Sequence, residues 1–543
     1  MQMKGVKLLL ILPLAFLFIF FYLPMISILH EGLWENGFTL KYVVEVLSNS
    51  YHRGIIYFTL WQALASTLLT LALGLPGAYI FAKYDFPGKS TVKAILTVPF
   101  VMPSIMVALG FILLFGKQGF FTQLIGRDLG ILYSWKAILL AHAFYNFPVV
   151  VRMVSSLWQR INPHYEEVAM SLGAKGFTLF RKVTLPMLLP GIFASSMLTF
   201  IFCFMSFSIP LILGGYKYAT LEVDIFTSIM TLLDFKLGSA LAIIQIALSF
   251  TFMYVYIKSL DLYSKAEEQR IFRTPRPLSF KEILSLRGIL IGLYSLIVLV
   301  FIVSPLLAVL YNSFNYNGKL SLIWYRRVFS EAYNPIFGAN SITAIKNSLL
   351  FGFSTVILST LLALSVSYAL HRWEFKGKNL FDALVMLPLG SSAITLGLGY
   401  IRTFHKEPLH LLGSWYLIVF AHTIIAYPFV LRAISAVLKK IKPNLKEAAL
   451  SLGAKEWVAF LKVELPLALG GIIVGAIFAF AMSIAELGAT YMLYKPEYTT
   501  ITIAIYRFLG SRQWGSASAM SVLLMIVSAV SFLIIERIGE EIW

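Results

Sequence analysis

Apolar residues run through this chain in long blocks separated by short polar segments, and twelve of the blocks reach about 20 residues, enough to cross a hydrocarbon core of about 30 Å as helix. They lie near 8–29, 54–82, 94–115, 136–157, 185–213, 237–259, 288–311, 345–370, 381–403, 415–437, 465–494 and 517–536. The pattern predicts an all-α polytopic membrane protein with about twelve transmembrane helices. Lys4 and Lys7 precede the first block, but its apolar core is longer than that of a signal peptide and no small-x-small site follows, so it reads as a retained span. Pro76, Pro103, Pro148 and Pro210 fall inside blocks and predict kinks.

The polar segments carry a duplication. Pro163-His164-Tyr165-Glu166-Glu167-Val168-Ala169-Met170-Ser171-Leu172-Gly173-Ala174-Lys175, running on to Leu185-Pro186, returns 280 positions later as Pro443-Asn444-Leu445-Lys446-Glu447-Ala448-Ala449-Leu450-Ser451-Leu452-Gly453-Ala454-Lys455, running on to Leu465-Pro466. Pro163 and Pro443 suit a first helical position, and Glu167 and Glu447 sit near the positive end of the helix dipole. Gly173 and Gly453 can take the left-handed conformation that ends a helix. A second short helix then leaves at an angle until Leu-Pro starts the next span, making a compact knob. Over 141–192 the two copies share 23 of 52 residues, so the repeat extends well beyond the knob. Upstream, Phe86-Pro87-Gly88-Lys89 pairs with Phe375-Lys376-Gly377-Lys378 and Pro99 with Pro388, now 289 positions apart. Blocks one to six and seven to twelve are therefore two parallel six-helix repeats, expected to enclose a path between them.

This organisation predicts a first helix and outer loop at 1–53, a first repeated helical domain at 54–260, a charged and proline-punctuated cytoplasmic linker at 261–287, a seventh helix and outer loop at 288–340, a second repeated helical domain at 341–537 and a tail at 538–543.

Composition narrows the class. With 59% hydrophobic residues and a mean hydropathy of +0.81, the chain is an integral membrane protein. The net charge of +18 reports topology rather than nucleic acid, because Lys and Arg concentrate on the segments that share a side with the termini. Both termini, the knobs and the linker around Arg273 are then cytoplasmic, while 116–133 and 214–236 face outside. The single cysteine, Cys203, lies within a span and offers neither a disulfide nor a thiolate metal site. Gly88-Lys89-Ser90 is not a phosphate-binding loop, since Lys83 stands where the first glycine is needed. Nothing in the sequence forms a metal-ligand cluster or a nucleophile–base pair, so the chain is expected to catalyse nothing alone, with no metal or cofactor of its own. Glu486 is an intramembrane carboxylate about 21 residues, or roughly 30 Å of helix, beyond Leu465. That puts it near the outer mouth, within reach of water, as a cap or a solute contact. His142 and His422 match across the repeats and read as helix–helix contacts or path residues.

The knob motif Glu-x-Ala-x-x-x-Gly, nine residues, then Val-x-Leu-Pro resembles the "EAA" loop of permease subunits of binding-protein-dependent ATP-binding-cassette importers. The resemblance covers about 54–260 and 341–537, with Val168 departing from the alanine expected second in the first copy. Fusion of both halves in one chain is similar to the iron(III) and thiamine permeases, and implies a type I importer permease architecture. It further implies two copies of a separate ATPase subunit carrying ATP and magnesium, each gripping one knob. Glu167 and Glu447 would pair with basic residues there, Ala169 and Ala449 would permit close approach, and Gly173 and Gly453 would keep the turn, with Leu185-Pro186 and Leu465-Pro466 closing the motif. An extracytoplasmic binding protein would deliver solute. Gly116-Lys117-Gln118-Gly119-Phe120, Ala141 to Pro148, Leu213-Gly214-Gly215 and Ala219 to Val223 are similar to the thiamine permease pattern, which iron permeases share in part. Thiamine or a related small cation, or iron(III), is the solute implied. A twelve-helix secondary transporter is the alternative, but beyond Glu486 the spans carry almost no acidic groups for ion coupling.

Overall fold

The computed structural model describes residues 2–267, 276–277, 285–336, 338–372, 375–442 and 444–542. Most of the expected linker, including Arg273, lies outside the described residues, as does Pro443.

Among the described residues eleven helices are long and apolar enough to span a membrane: Leu10–Leu33, Ser50–Lys83, Ser104–Ile125, Trp135–Arg160, Gly176–Phe204, Phe235–Ala266, Gly288–Phe314, Ser341–Arg372, Trp415–Leu438, Phe460–Ala485 and Trp514–Ser531. The pair Lys378–Gly390 and Ala393–Phe404, bent by 97°, brings the number to twelve when it is counted as one broken span. Numbered in chain order with the bent pair ninth, these are spans 1 to 12.

Three departures from the apolar pattern have local causes. The third block is not one helix. Lys89–Val101 stops at Met102, which is extended at ψ 140°, and Ser104–Phe115 starts afresh after Pro103. Proline removes an N–H and pushes the residue before it out of the helical region. The ninth block breaks at the matching place with no proline. Ser392 stands where Pro103 does, and its hydroxyl accepts from Thr395 N at 3.0 Å, opening a new helix. The fifth and eleventh blocks end early, at Phe204 and Ala485, leaving Glu486 at a break before the short helix Gly488–Leu493.

The expectation that Leu-Pro starts span 5 and span 11 is also corrected. Helix runs unbroken from Gly176 to Phe204, through a π-helical turn at Phe180–Thr184, and the same turn recurs at Phe460–Glu464. Pro186 and Pro466 each follow that turn as the second residue of the resumed α-helix. The wider turn supplies the altered hydrogen-bond register that an interior proline, which has no N–H, requires.

The chain forms two compact units, and they are not the two repeats. One comprises 47–224 with 245–309, the other 1–46, 225–244 and 310–543. Each repeat thus gives up its first span. Span 7 packs in the unit holding spans 2 to 5, and span 1 packs in the unit holding spans 8 to 12. The contacts correspond. A Cβ at Gly110 would lie 2.8 Å from Pro305 Cβ and from its carbonyl oxygen, and a Cβ at Gly399 would lie 2.8 Å from Pro24 Cβ and 3.0 Å from its carbonyl oxygen. Without side chains, the backbones of spans 3 and 9 approach the proline turns of spans 7 and 1, the usual role of glycine between membrane helices. Polar ties hold the exchanged spans as well. Tyr294 of span 7 donates its hydroxyl to Leu73 O of span 2 at 2.6 Å, while Tyr22 of span 1 donates to Leu384 O of span 9 at 2.8 Å and Glu31 pairs with Arg402.

Overpacking a tight helix contact costs about 1–3 kcal/mol. Gly110→Val and Gly399→Val should therefore lower the thermal unfolding midpoint of the detergent-purified protein. Gly292→Val, where an added Cβ meets nothing within 4 Å, should leave it unchanged in the same fluorimetry.

Candidate functional site: two matched knobs

Each knob is a helix, a glycine turn and the start of the following span. In the first, Asn162 caps the helix Pro163–Ser171 by accepting from His164 N at 3.0 Å, with Pro163 in the first turn. At the far end Gly173 has φ +88°, Gly173 N donates to Met170 O at 3.0 Å, and Ala174 N donates to Ala169 O at 2.9 Å. In the second, the helix is Asn444–Ser451, Gly453 has φ +85°, and the same two bonds run to Leu450 O and Ala449 O at 3.0 and 3.1 Å. This pair of bonds around a left-handed glycine is the Schellman ending. Ser171 and Ser451 each donate to the carbonyl four residues back, Glu167 O at 2.8 Å and Glu447 O at 2.9 Å.

The surfaces match as well as the backbones. Leu172 is 84% exposed and Leu452 is 89% exposed, both at the tip beside the glycine. Val168, Phe177, Leu445 and Leu461 are exposed around them. An exposed leucine at the same place beside the turn is thus a feature that both copies share. Glu167 and Glu447 are exposed on the same helices, and Glu167 pairs with His164 at 2.8 Å. Ala169 and Ala449 are half-buried. Leu185, Pro186, Leu465 and Pro466 lie back in the continuous helix, away from the tips.

The knobs meet their own bundles through charges that sequence reasoning passed over. Glu166, unlike its neighbour Glu167, faces inward. Its carboxylate accepts from Lys83 Nζ at 3.0 and 2.9 Å and from Thr184 Oγ1 at 2.9 Å. In the second copy Arg372 Nε lies 2.6 Å from Glu464 Oε1, a charge contact too bent to count as a directed hydrogen bond, and Arg372 Nη2 donates to Ile441 O at 3.4 Å. Lys446 donates to the Tyr368 hydroxyl at 2.9 Å and lies 3.9 Å from Glu456. Burial disfavours the Lys446 ammonium, but the Tyr368 bond and the nearby Glu456 and Glu464 charges outweigh it and raise its pKa above the ordinary lysine value. The signal was present in the aligned repeats as a paired exchange, Glu166 and Thr184 in one copy against Lys446 and Glu464 in the other.

The three candidate path residues are engaged in helix packing. Glu486 caps the short helix Gly488–Leu493, its two carboxylate oxygens accepting from Ala489 N and Thr490 N, both at 2.9 Å. Its side chain is 8% exposed, so the expected access to water is corrected. His422 has both ring nitrogens 2.7 Å from hydroxyls, Nδ1 from Ser483 and Nε2 from Thr490. His142 is buried, with Nδ1 3.2 Å from Ser66 Oγ. Among the described residues no group of three or more His, Cys, Asp or Glu could hold a metal.

A family model described as "Binding-protein-dependent transport system inner membrane component" matches residues 74–304 and 375–542, one knob in each stretch. The chain is 24% identical over 488 residues to the putative ferric transport system permease protein FbpB 1 of Haemophilus influenzae, covering 88% of this chain and 74% of that one. It is 23% identical over 522 residues to the thiamine transport system permease protein ThiP of Escherichia coli, covering 93% and 92%. A chain in the crystal structure of a bacterial alginate ABC transporter, in complex with an alginate pentasaccharide-bound periplasmic protein, aligns with 19% identity and a TM-score of 0.40, covering 49% of this chain and 98% of that one.

Gly173→Ala and Gly453→Ala place a Cβ in the left-handed region, at a cost of roughly 1–2 kcal/mol. An added Cβ meets nothing within 4 Å at either site, so the strain should stay in the turn. Limited proteolysis should cut the knobs of these variants faster while the circular dichroism of the spans is unchanged.

Proposed function

The chain belongs to the family of inner membrane components of binding-protein-dependent transport systems, and on that premise we propose that it is the membrane-spanning permease of an ATP-driven importer, with both halves of the translocation path in one polypeptide. The carrying observation is the matched pair of knobs, each presenting an exposed leucine beside a left-handed glycine. Two copies of one ATPase subunit offer two like grooves, and two like knobs suit them. Leu172 and Leu452 would fill the apolar floor of each groove, and Glu167 and Glu447 would meet basic residues at its rim. ATP-driven closure of the ATPase dimer would draw the knobs together and turn the path from inward-facing to outward-facing. A solute-binding protein would deliver cargo on the opposite side, with both termini and the knobs cytoplasmic. The chain itself would carry no catalytic residue.

For the solute we propose thiamine or a related small cation, with iron(III) the second reading because relatives of near-equal similarity carry both names. Calorimetry on the cognate binding protein separates the two, and tight binding of a sugar or an amino acid instead would refute both.

Docking has a sharper test. Gly453→Pro fixes φ near −65° where the turn needs a positive value. Glu447→Lys replaces attraction by repulsion, and losing a buried charged partner costs roughly 2–5 kcal/mol. That weakens association by a factor of about 30 to several thousand. Co-purification of the ATPase subunit should be lost in both variants while the spans still insert, and wild-type recovery of the subunit would refute the docking role.

A further inference from the structure

Lys83 and Arg372 occupy matching positions at the last turns of spans 2 and 8, and each finds a carboxylate, though from a different residue. In the first repeat the carboxylate is Glu166, on the knob's first helix. In the second it is Glu464, on the π-helical turn that opens span 11. The place of Glu464 is taken in the first repeat by Thr184, which donates to Glu166, and the place of Glu166 is taken in the second by Lys446, which reaches span 8 through Tyr368. The carboxylate has thus moved across the joint while the pair has been kept. The side chains are 15% and 10% exposed for Lys83 and Glu166, and 9% and 0% exposed for Arg372 and Glu464. A lysine or arginine placed only to close a membrane helix extends its charge into water instead.

We propose that these two pairs are the joints that make each knob move as one body with the end of span 2 or span 8, so that displacement of a knob becomes displacement of a span. The proposal rests on the docking reading for its last step but not for its first. Lys83, Arg372, Glu166 and Glu464 are positioning residues, distinct from Glu167 and Glu447, which face outward. A buried pair suits this use because removing either partner of it is strongly destabilising, which holds the elements it joins together.

The test uses the full-length protein, whose one native cysteine is buried and so leaves introduced cysteines free for selective labelling. Spin labels at Lys175→Cys on the knob and Ala72→Cys on span 2 report their separation in the permease alone. A narrow distance distribution is expected in the parent and a broad one in Glu166→Gln and in Glu166→Lys. The triple variant K83R/E166K/T184E rebuilds the first joint with the chemistry of the second and should be narrow again. A Glu166→Gln distribution as narrow as the parent's, or a triple variant as broad as Glu166→Lys, would overturn the joint. The second readout is one that simple anchoring would not move. With the ATPase subunit bound, trapping with MgATP and vanadate should change the spectrum of a label at Tyr57→Cys, near the far end of span 2, in the parent and the triple variant, and leave it unchanged in Glu166→Gln although the ATPase still co-purifies. An equal change in Glu166→Gln would overturn the transmission. Failure of the parent itself to hold the ATPase subunit would instead strike the docking reading, leaving the distance measurement to judge the joint.

Discussion

Inside a hydrocarbon layer a backbone group or a charge without a partner costs several kcal/mol, and the irregular parts of this protein stand where partners have been built. Span 9 breaks where Ser392 can cap the helix that follows, and span 11 breaks where Glu486 can cap the next one. Thr502 in turn donates its hydroxyl to the Glu486 carbonyl at 2.8 Å, closing a group that the break had opened. At the knob ends of spans 2 and 8 the same demand fixes a cation and a carboxylate together. Knob geometry, helix breaks and charge placement are three answers to one requirement.

The repeats preserve relations more than residues. Thr59 accepts from Leu221 N at 2.9 Å in the first, and Ser348 accepts from Ile501 N at 2.9 Å in the second. His142 meets Ser66, while His422 meets Ser483, which stands where the first repeat has Cys203. Hydroxyls of different residues fill one geometric role. Once two copies diverge within one chain, selection acts on the completed pair, and either member is free to move if the other follows.

Much of this was legible beforehand, because block length and block spacing are direct consequences of bilayer thickness. The spans followed from block length, and the duplication and the turn glycines from the knob sequence that returns 280 positions later. What escaped was decided by tertiary contact. Apolar length cannot distinguish a straight span from one broken at Ser392, since a serine cap and a buried serine look alike in sequence. Nor could adjacency separate Glu166 from Glu167, where one position along the helix turns the side chain by about 100° and exchanges solvent for Lys83. The Leu-Pro pairs looked like helix starts, and the π-helical turns before them absorbed the prolines instead. Glu486 was expected at the mouth within reach of water, and what buries it instead is the set of His422 and Thr490 contacts, which lie outside any local pattern.

The exchange of first spans bears on how the protein is made. Span 1 is synthesised first, yet beyond its Gly32 contact with span 6 it packs against spans 8 and 9 of the second repeat, and Glu31 meets Arg402 across a separation of 371 positions. The bundle of spans 2 to 5 likewise lacks a member until span 7 has been made. Neither unit can close in the order of synthesis. For most of translation, span 1 rests in lipid or against a temporary neighbour, with the backbone notch at Pro24 unfilled until Gly399 emerges. Long-range closure of this kind slows folding and leaves a partly built helix bundle open until span 9 has been made.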